Sequence, residues 1–247
     1  MGKSTRDDAA GGERGAERYA AGTPRGELER IHGELEREPT PLRESIMEAM
    51  LATCGERGYR AVSVAQVIER YGGSRTQFYR QFSSKEDCYA AAYEWEADRL
   101  VEELEEAGRD APDWRAGLRA ALDELARWCR ERPQVAKGLL LEIRVAGGTA
   151  LAHRRELIER LSRAVDGARR ETESRHSPPP PETARFMIGA VESFVGARLA
   201  SGEDEKIGME MPEIVRLIVA AYYGREAADA ELERSRATAV AASSPEG

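Results

Sequence analysis

Apolar side chains in this chain recur three and four positions apart, the period of one helix face, and almost never alternate as a half-buried strand requires. The first clear stripe is Leu42, Ile46, Ala49, Met50, Thr53 and Cys54. It follows Thr40 as a capping hydroxyl and Pro41 at the first helical position, and Gly58 ends it. Ser63-Val-Ala-Gln66 and Ser74-Arg-Thr-Gln77 both have the form of a capping box. The first opens a helix bearing Val64, Val67, Ile68 and Tyr71 that stops at Gly72-Gly73. The second opens a short helix ending in Phe78-Tyr-Arg-Gln-Phe82. Ser84 then caps a long helix from Lys85 towards Gly108, with Tyr89, Tyr93 and Leu100 on its buried side. Further stripes predict helices over 112–130, 133–146, 149–173, 182–201 and 212–224, and the four prolines before residue 182 an extended linker. The expected fold is all-α, with about nine helices in total.

Residues 1–39 hold almost no large apolar side chain before Leu28, so burial there cannot offset the entropy of ordering; the segment is expected to be a disordered N-terminal arm, with 25–37 as a short exposed helix. Its seven basic and nine acidic residues do not make a polybasic arm for a minor groove. A disordered tail is expected over 225–247. The remainder divides into a three-helix N-terminal unit that runs into the long helix, 40–100, and a helical regulatory and dimerisation domain, 101–224.

Composition narrows the class. With 41% hydrophobic, 33% charged and only 6% aromatic residues, the chain favours amphipathic helices. A net charge of −8 argues against coating nucleic acid or membrane over the whole surface. Cys54, Cys88 and Cys129 have neither disulfide-framework nor metal-finger spacing, so a reducing, cytoplasmic setting is expected, with no metal and no cofactor. No apolar stretch approaches the ~20 residues of a membrane span, and Met1–Arg18 lacks a signal-peptide core.

Positive charge is concentrated in one place. Between Tyr59 and Lys85 stand Arg60, Arg70, Arg75, Arg80 and Lys85 against Glu69 alone, a surplus of four inside an acidic chain. Two short helices joined by Tyr71-Gly-Gly-Ser74 and preceded by a longer one make the helix-turn-helix arrangement, which lays its second helix in the major groove of duplex DNA. Arginines neutralise phosphates, and the first turn of that helix offers Arg75, Thr76 and Gln77 to base edges. Ser63, Ser74 and Ser84 also have a purely structural role as caps, and Phe78 and Phe82 one as core.

From Val62 to Glu86 the sequence resembles the DNA-binding signature of the TetR (tetracycline-repressor) family, closely over 42–95 and in helix order as far as Gly224. The resemblance implies a homodimer that binds a palindromic double-stranded operator and is released by a small apolar or amphipathic effector, a repressor in most members. By the same resemblance Ser63 and Tyr79 bond phosphates, Ser74 caps the recognition helix, Arg75, Thr76 and Gln77 face bases, and Lys85 approaches a phosphate. The chain departs from the pattern at Tyr71, where alanine is common, at Gly73, where an apolar residue is usual, and at Thr76, where glycine is frequent.

In the regulatory half, Ala190, Phe194 and Ala197 with Ile214, Leu217, Ile218 and Ala221 have the spacing of a two-fold four-helix interface. Tyr93, Trp95, Trp114, Trp128, Arg144, His153 and Met187 are candidate pocket residues, though each is equally at home in a core or on a surface. No catalytic group is expected: the chain has no phosphate loop, no HExxH and no Cys/His cluster, and Glu102-Glu-Leu-Glu-Glu106 reads as a solvated helix face. The alternatives are a helical dimeric interaction protein, or an activator on the same fold.

Overall fold

A computed structural model describes residues 40–166, 179–180 and 182–243, with side chains as far as 236. Residues 1–39, much of the proline-rich linker and the expected helix beyond residue 166 lie outside the described residues. The chain divides into two compact units, Met1–Arg43 and Glu44–Gly247. Of the first, only residues 40–43 are described, where Thr40 Oγ1 accepts from the Arg43 N–H at 3.2 Å as the capping pattern predicts.

Among the described residues there are eleven helices and no strand. The first four are α1 (Pro41–Arg57), α2 (Val64–Tyr71), α3 (Arg75–Gln81) and α4 (Lys85–Gly108), with a 3-10 turn at Tyr59–Ala61. They continue as α5 (Trp114–Glu131), α6 (Pro133–Leu140), α7 (Ile143–Ala146) and α8 (Gly148–Val165), and close with α9 (Thr183–Ala200), α10 (Asp204–Tyr223) and α11 (Arg225–Ser243). Ser63, Ser74 and Ser84 each cap the helix that follows, the first two through complete capping boxes. Gly58 ends α1 with φ of 79°.

The core of α1–α3 is made by Ile46, Met50, Val67, Phe78 and Phe82, none more than 2% exposed. The long α4 leaves this core and packs on α5 and α8; α9 and α10 complete a bundle against α5, α6 and α8. The expected boundary at residue 100 falls inside α4, which runs unbroken from Lys85 to Gly108, so no linker separates the two halves there.

Three expectations need correction. The predicted 133–146 helix is broken after Leu140 and resumes at Ile143. The helix expected from Pro212 starts eight residues earlier, at Asp204. Ile207, Met211, Val215 and Ile218 bury one stripe across the proline, and that packing outweighs the hydrogen bond Pro212 cannot make. The tail is also helical: α11 lays Ala228, Glu231 and Ser235 against α10, and the polar members of that stripe gave it the look of a solvated segment. Buried Glu231 is matched by Arg119 of α5 and by Arg234 at 2.7 Å, while Asp229 meets Arg216 of α10 at 3.1 Å.

Candidate nucleic-acid interface and ligand cavity

The reading edge is built around a tight turn. Gly72 takes a left-handed φ of 74°, which costs glycine nothing, and α3 begins three residues later, at Arg75. Ser74 Oγ accepts from the Gln77 N–H at 3.2 Å, and Gln77 Oε1 accepts from the Ser74 N–H at 2.8 Å. Gln77 therefore spends its carbonyl oxygen on the cap and keeps its NH2 donors.

The departures at Tyr71 and Gly73 are one feature. The Tyr71 hydroxyl donates to the Ser74 carbonyl at 2.7 Å, and its ring lies where a side chain on residue 73 would stand: a Cβ on Gly73 would sit 2.0 Å from Tyr71 Cε2. Gly73→Ala is expected to dislodge the ring and its hydrogen bond, at a cost of about 1 kcal/mol. The Tyr71→Ala/Gly73→Ala pair should cost less than the sum of its singles. Urea unfolding of the four proteins measures that coupling, and strict additivity would dissolve the link.

Phe78 and Phe82 are buried and turn Arg75, Thr76, Tyr79 and Arg80 outward; Tyr79 is 46% exposed, with the Arg75 guanidinium 5.7 Å from its ring centre. Gln77 is half-buried. Ser63 is an exposed cap, its Oγ accepting from the Gln66 N–H at 3.4 Å. The five clustered cations are not equivalent. Arg70 pairs with Glu56 at 2.8 Å, and that bond holds the Glu56 carboxyl below its usual range. Lys85 Nζ donates to the carbonyls of Tyr59 and Val62, each at 3.1 Å, and lies 4.2 Å from the centre of the Tyr59 ring. It staples the turn between α1 and α2, with one N–H left over. Arg60, Arg75 and Arg80 make no ion pair among the described residues, and they carry the patch's uncommitted charge.

Behind the reader, helices α4, α5, α6, α8, α9 and α10 line a cavity of about 730 Å³, walled mostly by aliphatic side chains such as Leu100, Leu122, Leu157 and Val191. Of the candidate pocket residues, Tyr93, Trp114 and Met187 line it. Trp114 is steadied from behind by the rings of Tyr222 and Tyr223, at 5.5 and 5.9 Å. His153 lies beside a smaller, polar cavity of about 250 Å³ that shares Tyr93, Ala97 and Leu157 with the large one. The remaining three lie elsewhere: Trp95 stacks under Arg99 at 4.7 Å, Trp128 donates its indole N–H to Glu96 at 3.2 Å, and Arg144 is exposed on α7. The charged wall pair Arg154 and Glu192 was not anticipated, because i and i+38 on different helices leave no spacing signal.

On the outer face of α9 and α10, Ala190, Ala197 and Leu217 are exposed and Phe194, Ile214 and Ala221 half-buried. Phe186 and Met209, at 72% and 78% exposure, extend that apolar face. Ile218 does not belong to it: only 4% exposed, it points into the cavity wall. Among the described residues no cluster of His, Cys, Asp or Glu is arranged to hold a metal ion, and no helix is long and apolar enough to cross a membrane.

Residues 46–92 match the sequence family described as bacterial regulatory proteins, tetR family. The HTH-type transcriptional activator FasR of Mycolicibacterium smegmatis is 37% identical over 68 residues, 28% of this chain; the match spans only about a third of that protein's length, 31%. The HTH-type transcriptional repressor AcnR of Corynebacterium glutamicum is 27% identical over 72% of this chain and 92% of its own. Among solved structures, the transcriptional regulator FadR from Bacillus subtilis, in complex with stearoyl-CoA, superposes with a TM-score of 0.64 over 72% of this chain and 98% of its own; at 17% identity this is a likeness of fold alone. The reader motif, the helical order behind it and these relatives agree: residues 46–92 match the tetR family of bacterial regulatory proteins, and the helices that follow are arranged as in the similar solved regulators.

Proposed function

We propose that the chain is a homodimeric transcriptional regulator that places α3 in the major groove of a palindromic DNA operator and leaves it when a small apolar or amphipathic effector fills the cavity. The observation that carries the reading is the exposed, capped first turn of α3, with Arg75, Thr76 and Tyr79 facing outward in a chain whose net charge is −8. The apolar face of α9 and α10 supports a two-fold pairing that sets two readers about 34 Å apart, one DNA turn. The match to AcnR, a repressor, along most of its length favours repression; FasR, an activator, is matched over the reader.

Helix α6 connects the two sites. Leu139 and Leu140 line the cavity, while Gly138 on the same helix packs against the backbone of α1. The turn after α6 also reaches the reader, where the Tyr59 N–H donates to Glu142 at 2.7 Å. A coupling of about 1–3 kcal/mol through this link would weaken operator binding roughly 5- to 150-fold.

Selection of bound fragments from a random duplex library supplies an operator and its half-site spacing. On that operator Arg75→Glu is expected to lower affinity by at least about tenfold and to flatten the salt dependence, with the melting temperature unchanged. Retention of full affinity by Arg75→Glu, or a library that yields no duplex at low salt, would refute the reading.

A further inference from the structure

Within the aliphatic cavity one ion pair stands apart. Arg154 of α8 donates from Nε to Glu192 Oε1 of α9 at 2.9 Å and from Nη2 to Glu192 Oε2, a two-pronged contact that occupies both carboxylate oxygens. Both side chains are largely withdrawn from water, at 21% and 18% exposure, and both line the cavity. A guanidinium has five N–H groups, and the Arg154 Nη1 pair has no acceptor among the described residues.

The pair also marks a boundary. Along α4 the cavity wall runs from Tyr93 to Gly108, about 22 Å at the rise of a helix. Tyr93 stands at the Arg154 end, and Tyr93, Ala97 and Leu157 line both the apolar cavity and the smaller polar one, whose other walls are Glu94, Asp98, His153, Glu156, Arg160 and Arg163. An occupant spanning both spaces has an apolar chain on one side of this boundary and a polar continuation on the other.

We propose that Arg154 and Glu192 act as one selector in the effector site, admitting long-chain amphiphiles whose polar group is a neutral internal carbonyl (an ester, thioester or amide) and rejecting the free carboxylate of the same chain. The inference rests on the reading of this cavity as the effector site. The ion pair is neutral as a unit. A carbonyl oxygen takes a free Nη1–H without adding charge to an apolar chamber. A carboxylate in the same place brings a second negative charge beside Glu192, where little water remains to screen it. An internal carbonyl also has substituents on both sides, as a site between an apolar and a polar space requires; a terminal carboxylate does not.

The test uses the full-length protein in equilibrium dialysis at pH 8 against three probes of equal chain length: methyl laurate, laurate and dodecanol. The expected order for the natural protein is methyl laurate at least tenfold tighter than laurate, with dodecanol between them. Glu192→Gln, which keeps shape and removes charge, is expected to bring laurate within about threefold of the ester. Arg154→Met should abolish the advantage of the ester over dodecanol while dodecanol still binds. Laurate binding as tightly as its ester, or an unchanged ratio in a folded Glu192→Gln protein, overturns the selector while leaving the cavity as an effector site. Failure of all three probes to bind overturns both readings.

Discussion

Gly138→Ala is expected to destabilise the protein by about 3 kcal/mol and to lower its melting temperature by roughly 6–12 °C. Helix propensity alone predicts the opposite, because alanine in a helix interior is favoured over glycine by about 1 kcal/mol. The contact decides the sign. A Cβ on Gly138 would lie 2.0 Å from the Leu51 carbonyl oxygen, and one on Gly55 would lie 1.9 Å from that of Gln134. Both obstacles are backbone atoms, so no rotamer relieves them, and α1 and α6 must separate. Tyr89 holds the same crossing from α4, its hydroxyl donating to the Gly138 carbonyl at 2.7 Å. Since α6 is the proposed link between cavity and reader, Gly138→Ala should also blunt the response of operator binding to effector. Gly208→Ala is the control: its Cβ would meet only ordinary contacts at 3.8–3.9 Å, and it should be neutral or stabilising. Urea unfolding of the two variants measures the contrast, and equal stabilities would remove the steric argument.

Arg132→Met should cost about 3–5 kcal/mol at neutral pH, because it leaves a carboxylate buried without its main partner. Glu96 on α4 is fully buried. Arg132, at the junction of α5 and α6, contacts it through Nη1, and through Nη2 at 3.4 Å; the same Nη2 reaches Glu48 of α1 at 3.4 Å. Arg99 lies 3.9 Å away, too far to take over. Burial already raises the Glu96 pKa above its ordinary 4.5, against the pull of Arg132 and Arg99, and losing Arg132 raises it further. A carboxyl whose pKa is higher folded than unfolded favours folding when protonated. Its contribution is therefore fully present below the unfolded value and is lost as pH rises through the folded one. The penalty of Arg132→Met should shrink as pH falls from 8 towards 5, and adding Glu96→Gln should recover most of the loss. Melting temperatures of both variants at the two pH values check this; a penalty independent of pH would mean that Glu96 is not the group responsible.

Much of the reader was legible because its signals are local. Ser63, Ser74 and Ser84 cap the helices they precede through bonds that reach three residues, and Gly58 and Gly72 mark positive φ by their identity. The outward placement of Arg75, Thr76 and Tyr79 follows from Phe78 and Phe82 facing in, which a period of 3.6 predicts. Local rules also misled. Pro212 reads as a helix start, and the Ala- and Glu-rich segment after Gly224 as a tail, because the stripes that override those signals draw their partners from α5, α9 and elsewhere in the bundle.

By itself, then, the sequence determined the helical class, the caps and breaks of α1–α4, and the chemistry exposed on α3, all properties of interactions spanning a turn or two of chain. Tertiary structure alone decided the rest: that Lys85 is spent on two carbonyls of a neighbouring turn, that Tyr71 stands in for a side chain at Gly73, that Gly55 and Gly138 let two backbones touch, and that Arg154 and Glu192 meet in a cavity wall. Those outcomes depend on which helices cross and how closely, and a hydrophobic period says which face is buried without saying what it is buried against.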